Sequence, residues 1–258
     1  MNRMFALTLT LALTPAAVAL VACDGDPSAA NAESDRPSAD EVVARHLEAI
    51  GGEARWRAID TLEMHGSVVV NGTSNEFHAY RARPGKFRKE GVSDGKPYTK
   101  VYDGARGFKR IGDGDFEPIP AEHAAKLAAH ADFDDALIDY AHRGTSVELV
   151  GVEEIAGAPA YHLALTLPSG DVEHRWFDGA TYLDVKRMTT YKDKDGQEKS
   201  AVSTFSEWRE VGGLKINFAA ETEHDGKRSV LSLDEVVFDR PLAPSIFTAS
   251  PRVSAGAS

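Results

Sequence analysis

The chain has 258 residues, a formal net charge of −11 and one cysteine, and 42% of its residues are hydrophobic. Charge does not draw such an acidic body to phosphate backbones or anionic lipid surfaces, so we expect no nucleic-acid partner. One cysteine cannot form a disulfide within the chain. The fold must therefore depend on a hydrophobic core, which a domain of this length can bury.

The first element is a predicted signal peptide at residues 1–22. Asn2-Arg3 gives a cationic start, residues 4–22 are apolar, and small residues precede the single cysteine, Cys23. The run Leu20-Val21-Ala22-Cys23 resembles a bacterial lipobox, in which the cysteine takes a diacylglycerol and becomes the new N-terminus. We therefore predict lipidation of Cys23. The alternatives are a free thiol, an intermolecular disulfide, or a leader retained as a membrane span.

A flexible tether is predicted next, so that residues 23–37 connect the lipid to the folded body. Asp, Ser, Ala, Asn and Pro dominate residues 24–37, which have no apolar periodicity. Two or more acyl chains on Cys23 would hold the protein stably in the cell envelope, facing the periplasm. Asp24 resembles the signal that retains lipoproteins in the inner membrane of enteric bacteria. That rule varies between bacteria, so it favours the inner membrane without excluding the outer one.

A helix is predicted to begin at Ser38, because Ser38 and Glu41 form a capping-box pattern. Its apolar stripe consists of three residues at helical spacing: Val43, Leu47 and Ile50. Gly51-Gly52 is expected to end this helix, since glycine accepts the left-handed conformation of a helix cap. A short turn of helix is predicted at residues 53–59.

The strands are predicted to begin at Thr61, where the apolar period changes to two. One face of the first strand is apolar: Leu62, Met64 and Val68. Asn71-Gly72 is a strong hairpin signal because both residues tolerate positive φ. A two-residue turn there places Phe77 on the apolar face and sets His65 opposite His78 on the other face.

Similar glycine-containing turns recur and separate short alternating runs. One run puts its apolar residues on a single face: Tyr161, Leu163, Leu165 and Leu167. Its other face is expected to carry Ala160, His162 and Thr166. This spacing indicates antiparallel meanders rather than βαβ units. Residues 120–140 instead predict a helical insert, which separates about five strands from about six, about 11 in all. Residues 249–258 are predicted to form a disordered tail.

Five stretches carry turn and strand-edge motifs: Leu47-Glu48-Ala49-Ile50-Gly51-Gly52, Tyr80-Arg81-Ala82-Arg83-Pro84-Gly85-Lys86-Phe87-Arg88, Val101-Tyr102-Asp103-Gly104, Phe205-Ser206-Glu207-Trp208 and Gly213-Leu214-Lys215-Ile216. Together they resemble the LolA/LolB-like family of outer-membrane lipoprotein-sorting proteins. The chain departs from the family pattern at Asn217, where proline is usual. The resemblance spans residues 38–247, nearly the whole predicted body.

This resemblance implies a mainly β (α+β) fold for residues 38–248. The expected sheet is a strongly curved, open antiparallel half-barrel, with the N-terminal helix and the central insert capping its concave face. In transport members of the family the concavity holds acyl chains. The corresponding candidate cavity residues lie on the first helix and the first two strands: Val43, Leu47, Ile50, Leu62, Met64, Val68 and Phe77. The alternative for these residues is ordinary core packing.

The sequence has no nucleophile elbow, P-loop, H-E-x-x-H or C-x-x-C motif, so we expect no enzyme activity, catalytic residue, metal or cofactor. A hydrolase or a metal site is the minor alternative. His65 and His78 could share a metal, but spacing reveals no further ligand and an exposed polar sheet face explains them. His123 and His130 lie on one side of the predicted insert near several aspartates. Metal or acid–base use there competes with a solvated helix end.

Two functions are compatible with these features. The first is a lipid-anchored periplasmic protein that binds acyl chains or lipidated proteins in a hydrophobic cavity, in lipoprotein or lipid trafficking. The second is a tethered envelope sensor or assembly factor whose surface acts on a protein partner. The family resemblance favours the first function, while the acidic body and the tether at 24–37 suit the second. The identities of ligand and partner and the oligomeric state are not determined by these features.

Overall fold

The computed structural model of the protein describes residues 36–249, apart from residues 94, 133 and 193–195. The predicted signal peptide, Cys23, nearly all of the predicted tether and the predicted tail from residue 250 onward lie outside the described residues. The domain boundaries proposed from the sequence therefore stay predictions.

Thirteen strands lie in the described part of the chain. In chain order, they are β1 (Thr61–Val70), β2 (Thr73–Ala82), β3 (Lys86–Ser93), β4 (Lys96–Tyr102), β5 (Gly107–Ile111), β6 (Glu117–Pro118), β7 (Ser146–Ile155), β8 (Ala158–Thr166), β9 (Val172–Asp178), β10 (Asp184–Lys192), β11 (Glu198–Val211), β12 (Leu214–His224) and β13 (Lys227–Phe238). They form one open, curled antiparallel sheet in the order β6-β5-β4-β3-β2-β1-β13-β12-β11-β10-β9-β8-β7. Two meanders thus meet where β1 pairs with β13.

The predicted fold class is confirmed, because the chain is mainly β and its open antiparallel sheet is accompanied by a few helices. The strands number thirteen in the described residues rather than the predicted total of about 11. One reason is β6, whose two residues, Glu117–Pro118, are too few to show an alternating pattern.

The hairpin predicted at Asn71-Gly72 has the expected two-residue turn, and its central residues have φ values of 50° and 78°. β1 pairs with β2 so that His65 lies opposite His78, as predicted. On the other side of β1, the pairing with β13 shifts register between His65 and Gly66. A Cβ on Gly66 would lie 2.3 Å from the backbone oxygen of Ser232. Glycine is therefore required at this position, because a neighbouring backbone approaches closely.

We expect Gly66→Ala to lower the free energy of unfolding by about 1–3 kcal/mol, the usual cost of forcing extra atoms into a packed site. The obstructing atom belongs to the backbone of β13, which cannot swing aside as a flexible side chain would. Urea unfolding of the full-length protein measures the effect. Gly151→Ala on β7 is the matched control, since nothing lies within 4 Å of its added Cβ. Equal stability of the two variants would contradict the close approach at β13.

Two helices precede the sheet, α1 (Ala39–Ala49) and α2 (Glu53–Arg57). The predicted capping box at the start of α1 is present. The Glu41 N–H donates to the Ser38 hydroxyl, and the Ser38 N–H donates to the Glu41 carboxylate. The chain leaves α1 through Gly51, whose φ of +109° favours glycine. None of the described helices has the length and apolar character that crossing a bilayer requires.

The predicted helical insert at residues 120–140 is helical only in its first half. This helix, α3 (Ala121–Ala131), packs on β3, β4 and β5, and the chain then continues through turns. The prediction of a helix throughout 120–140 was wrong because apolar spacing does not reveal competing hydrogen bonds. Asp132 and Asp135 each accept a hydrogen bond from the backbone N–H two residues further on. Such local side-chain bonds offer the backbone an alternative to helix.

Strand β8 is buried on both faces, including the face predicted to carry Ala160, His162 and Thr166. Leu163 and Leu165 are fully buried, as expected, but Ala160 and His162 on the other face are only 1% and 7% exposed. The His162 ring stacks on Trp176 with 4.2 Å between ring centroids. Neighbouring side chains on the outer face therefore cover His162, a contact that strand alternation does not reveal.

The buried apolar residues form three clusters in the described part of the chain. The first lies mainly on β1, β2, β12 and β13 and contains Ile59, Leu62, Phe77, Ala79, Leu214, Phe218, Leu233 and Val236. The second joins α1 to β8 and β9 and contains Val42, Val43, Leu137, Leu163, Leu165 and Phe177. The third joins α3 to β3 and contains Phe87, Leu127 and Ala131.

Candidate functional site

The predicted cavity residues are distributed over two of these clusters and one cavity. Two of them pack in the second cluster: Val43 and Leu47. Four pack in the first cluster: Leu62, Met64, Val68 and Phe77. Ile50 is buried and lines a cavity between α1 and the sheet. The helix stripe and the strand face are thus separated, and their role as the lining of an acyl site stays a prediction.

Polar contacts as well as apolar ones hold α1 against the second half of the sheet. His46 is 1% exposed, and its Nδ1 lies 2.9 Å from the carbonyl oxygen of Tyr182. A carbonyl only accepts, so His46 Nδ1 carries the hydrogen. At the end of the helix, the Lys215 N–H donates to the Ile50 carbonyl at 3.1 Å. The predicted apolar stripe did not include His46, because a histidine satisfied by a backbone carbonyl has no apolar signature.

A buried arginine, Arg175 on β9, is the centre of a charge network beneath α1. It is 1% exposed. Its Nε and Nη2 donate to Asp184 Oδ2 at 2.9 and 2.7 Å, and its Nη1 and Nη2 donate to the two Asp135 oxygens at 2.8 and 3.0 Å. Paired hydrogen bonds between arginine and carboxylate are among the stronger ones in proteins. Because Asp184 begins β10 and Asp135 follows α3, Arg175 ties the insert to the sheet.

Burial and charge have opposite effects on this pair. Burial raises the pKa of Asp135 and is the largest single effect, but the Arg175 guanidinium and His46 together outweigh it and hold the pKa well below its ordinary value. Burial lowers the pKa of Arg175, whereas Asp135 and Asp184 raise it by more, so the guanidinium stays charged. The pair therefore stabilises the fold above about pH 4, where the unfolded aspartate is ionised. This contribution is lost as the pH falls through the pKa of Asp135 in the folded state, which is lower than its pKa in the unfolded chain.

The turns after α3 connect distant parts of the sheet through two adjacent aspartates. Asp134 pairs with Arg83, which follows β2, and Asp135 pairs with Arg175 on β9. Five strands separate β2 from β9 in the sheet. We call residues 134–145 the strap. Two further strap contacts reach the first two helices: Tyr140 with Asp40 and Asp139 with Arg57.

A cavity of about 110 Å³ lies between α1, the strap and strands β9 to β12. Its polar lining includes members of the charge network and their neighbour: Asp135, Arg175, Asp184, Arg187 and His46. Its apolar lining consists of Ile50, Trp56, Phe205, Trp208 and Ile216. Pockets for small molecules usually measure about 300–1,000 Å³. This conformation of the cavity is therefore too small for an acyl chain.

Four buried polar atoms of the residues lining this cavity have no hydrogen-bond partner: His46 Nε2, Asp184 Oδ1, Arg187 Nε and Trp208 Nε1. In the neutral ring His46 Nε2 is an acceptor, since Nδ1 carries the hydrogen. Asp135 Oδ2 lies 3.9 Å from it, too far for a hydrogen bond. A buried unsatisfied group costs about 1–3 kcal/mol. The cavity lining therefore has two acceptors, His46 Nε2 and Asp184 Oδ1, and two donors, Arg187 Nε and Trp208 Nε1, without hydrogen-bond partners.

The histidines considered as metal ligands are placed in two separate settings. His65 and His78 stack on each other with 4.3 Å between ring centroids. His123 and His130 are exposed on α3, and the nearby Asp132 pairs with Arg143 at 2.9 Å. Throughout the described residues, His, Cys, Asp and Glu form no group of three or more that could hold a metal ion.

Sequence reasoning missed the charge network, although one signal of it was present. Arg175 lies opposite Leu163 in the pairing of β8 with β9, and therefore on the buried face of the sheet. A charged side chain at an inward position needs a buried partner. The sequence does not identify that partner, because Asp135 is 40 positions away and within a stretch predicted to be helical.

Comparison with known proteins identifies the fold through structural similarity. No protein-family model matches the chain, and no curated protein matches it either. The structure is similar to that of a DUF1329 family protein from Desulfovibrio piger, with a TM-score of 0.56 and 15% identity, covering 83% of this chain and 98% of that one.

Two further crystal structures share the fold. A LolA superfamily protein from Nitrosomonas europaea has a TM-score of 0.53 and 13% identity, covering 83% of this chain and 98% of that one. A domain described as an outer membrane lipoprotein-sorting protein, from Vibrio parahaemolyticus, has a TM-score of 0.51 and 14% identity, covering 81% of this chain and 97% of that one. The resemblance predicted from the sequence is thus confirmed at the level of fold: the chain has a LolA-like fold.

Proposed function

We propose that the protein is a lipid-anchored periplasmic protein that binds acyl chains, of lipids or of lipidated proteins, beneath its helical cover. In this proposal residues 1–22 direct export, Cys23 carries the lipid, residues 23–37 are the tether and residues 38–248 form the binding domain. The LolA-like fold supports a role in lipoprotein or lipid trafficking, since one solved protein with this fold is described as lipoprotein-sorting.

The observation that carries the proposal is the incomplete burial of the apolar face around the first cluster. Seven apolar side chains packed on that cluster are only partly buried: Trp56 on α2, and Met64, Val68, Val211, Ile216, Leu231 and Phe238 on the sheet. Removing apolar surface from water contributes about 25 cal/mol of favourable free energy per Å² covered. An acyl chain would cover a row of such side chains along the sheet and would bring no polar atoms that need partners.

Acyl binding requires the cover to move, because the cavity of about 110 Å³ is too small for a chain. The strap is held at its outer side by exposed pairs, such as Arg57 with Asp139, whose side chains are 48% and 39% exposed. Exposed ion pairs contribute little to stability, so opening can begin there. The ligand then stabilises the open form by its greater affinity for that form.

The proposal is tested by filling the apolar face with Val68→Trp. We expect the full-length protein, purified in detergent, to bind a fluorescent fatty acid, and the variant to bind it at least tenfold more weakly. The larger ring would occupy the path of the acyl chain on β1. Fluorescence titration measures the affinity, and mass spectrometry of protein extracted from membranes detects co-purified lipid.

Val150→Trp is the matched control, because Val150 lies on the edge strand β7 and is 53% exposed. It adds the same ring outside the proposed site, so its affinity should match that of the unmodified protein. The proposal fails if the unmodified protein shows no affinity for the fatty acid and carries no lipid beyond its own lipid anchor. It also fails if the two variants bind equally.

A second candidate function is a tethered envelope sensor or assembly factor that acts on a protein partner through its surface. The small, charge-lined cavity favours it, because a filled interior leaves the surface to do the binding. Crosslinking in cells separates the two functions. A single partner that is captured equally by the unmodified protein and by Val68→Trp would support the sensor and oppose acyl binding.

A further inference from the structure

The charge network beside the cavity contains one more negative charge than positive. It consists of two arginines and three carboxylates: Arg175, Arg187, Asp135, Asp184 and Glu173. These side chains are between 1% and 34% exposed. Lys215 also lines the cavity but is exposed to water, which screens its charge. A buried surplus charge is costly unless a counter-charge accompanies it.

The atoms without partners indicate what kind of counter-charge fits. His46 Nε2 and Asp184 Oδ1 are both acceptors, and their side chains are 1% and 3% exposed. Both residues line the same cavity. Asp135 Oδ2 faces His46 Nε2 at 3.9 Å and adds a second negative charge to that of Asp184. A positively charged group with several N–H donors would satisfy these acceptors and neutralise the surplus charge together.

The remaining walls of the cavity also suit a cation. The aromatic side chains of Trp56, Phe205 and Trp208 line it, and aromatic faces attract ammonium groups. α1 ends at the cavity, with His46 in its last turn and Ile50 as its C-terminal cap. The C-terminal end of a helix carries partial negative charge, which favours a cation further.

From these features we propose that the cavity binds a primary ammonium group that has an oxygen on the neighbouring carbon, as in ethanolamine. The ammonium donates to His46 Nε2 and Asp184 Oδ1, and the oxygen accepts from Trp208 Nε1. The volume of about 110 Å³ equals roughly three or four waters of about 30 Å³ each, which suffices for this group but not for a whole lipid. The source is either a free amine or the headgroup of a phosphatidylethanolamine lipid. If the source is the lipid headgroup, the inference rests on the proposed acyl-binding function.

Titration of the full-length protein with ethanolamine tests the site directly. Tryptophan fluorescence provides a readout, since Trp56 and Trp208 line the cavity, and calorimetry provides an independent one. We expect saturable binding, at least tenfold tighter than that of ethylene glycol, which has the same size but no positive charge. Equal binding of the two compounds, or no saturable binding of ethanolamine, would overturn the proposal.

Asp184→Asn is expected to weaken ethanolamine binding at least tenfold. Asp234→Asn is the control and should not change the affinity, because that side chain is 63% exposed and belongs to β13. Asp184 also holds Arg175, so circular dichroism must show that the variant is folded. If Asp184→Asn is unfolded, Trp208→Phe tests the site instead. This substitution removes the indole donor but keeps an aromatic wall, so it should weaken ethanolamine binding about threefold. Unchanged affinity in the deciding variant would contradict the proposed site.

Vesicles separate the two sources of the amine. Competition by phosphatidylethanolamine vesicles, but not by phosphatidylglycerol vesicles, indicates a lipid headgroup, while competition by neither indicates a small amine. Loss of fatty-acid binding with ethanolamine binding intact would refute the acyl proposal alone. Fatty-acid binding without ethanolamine binding would refute the ammonium site alone. A doubly protonated His46 at neutral pH, seen by NMR without ethanolamine binding, would identify the proton as the counter-charge and overturn the site.

Discussion

Arg175→Met is expected to lower the free energy of unfolding by about 3–5 kcal/mol. The guanidinium makes four hydrogen bonds of 2.7–3.0 Å to Asp135 and Asp184. Methionine has a comparable length and preserves much of the packing, but it leaves Asp135 without its arginine and Asp184 with Arg187 alone, in a site from which water is largely excluded. Urea unfolding of the full-length protein at neutral pH measures the loss, and the melting temperature should fall with it.

Arg228→Met is the matched control, since Arg228 pairs with Glu221 at a position where the side chains are 65% and 41% exposed. Its stability should barely change, because water replaces a lost partner at the surface. A further check adds Asp184→Asn to Arg175→Met. The second substitution should destabilise the variant much less than it destabilises the unmodified protein, because the unpaired charge has been removed. Additive losses, or equal losses for the two methionine variants, would show that the buried pair does not hold the strap.

Cys23→Ser is expected to abolish maturation, leaving precursor that retains residues 1–22 and incorporates no labelled palmitate. A thiol is the diacylglyceryl acceptor that the lipobox resemblance implies, and a serine hydroxyl does not replace a thiol as nucleophile. The measurement is the mass of the protein and its labelling in a bacterial host, together with its release from membranes by salt or detergent.

Ser28→Ala, in the predicted tether, is the control for the cysteine variant, because it leaves the lipobox residues unchanged. It should mature and label normally. Normal processing of Cys23→Ser, or palmitate incorporation without Cys23, would remove the predicted lipid and with it the membrane anchor on which the proposed function depends. The folded domain would then have to act as a free periplasmic protein.

Local features of the fold were predictable because each depends on residues close together in sequence. The capping box at Ser38 and Glu41 and the hairpin at Asn71-Gly72 formed as predicted. The prediction of a helix over 120–140 was wrong for a related reason. Aspartate side chains after Ala131 accept hydrogen bonds from nearby backbone N–H groups, and apolar spacing does not reveal such bonds. Family resemblance added the LolA-like architecture, which no local pattern contains.

By itself, the sequence determined the meander of short strands, the start and end of the first helix, and the acidic charge of the body. Only the tertiary structure decided that the first helix packs on β8 and β9 rather than on the apolar face of β1. It also decided that Arg175, Asp135 and His46 meet beside a cavity. The physical reason is that a buried charge selects its partner by distance in space, and residues 40 positions apart approach each other only after the sheet curls.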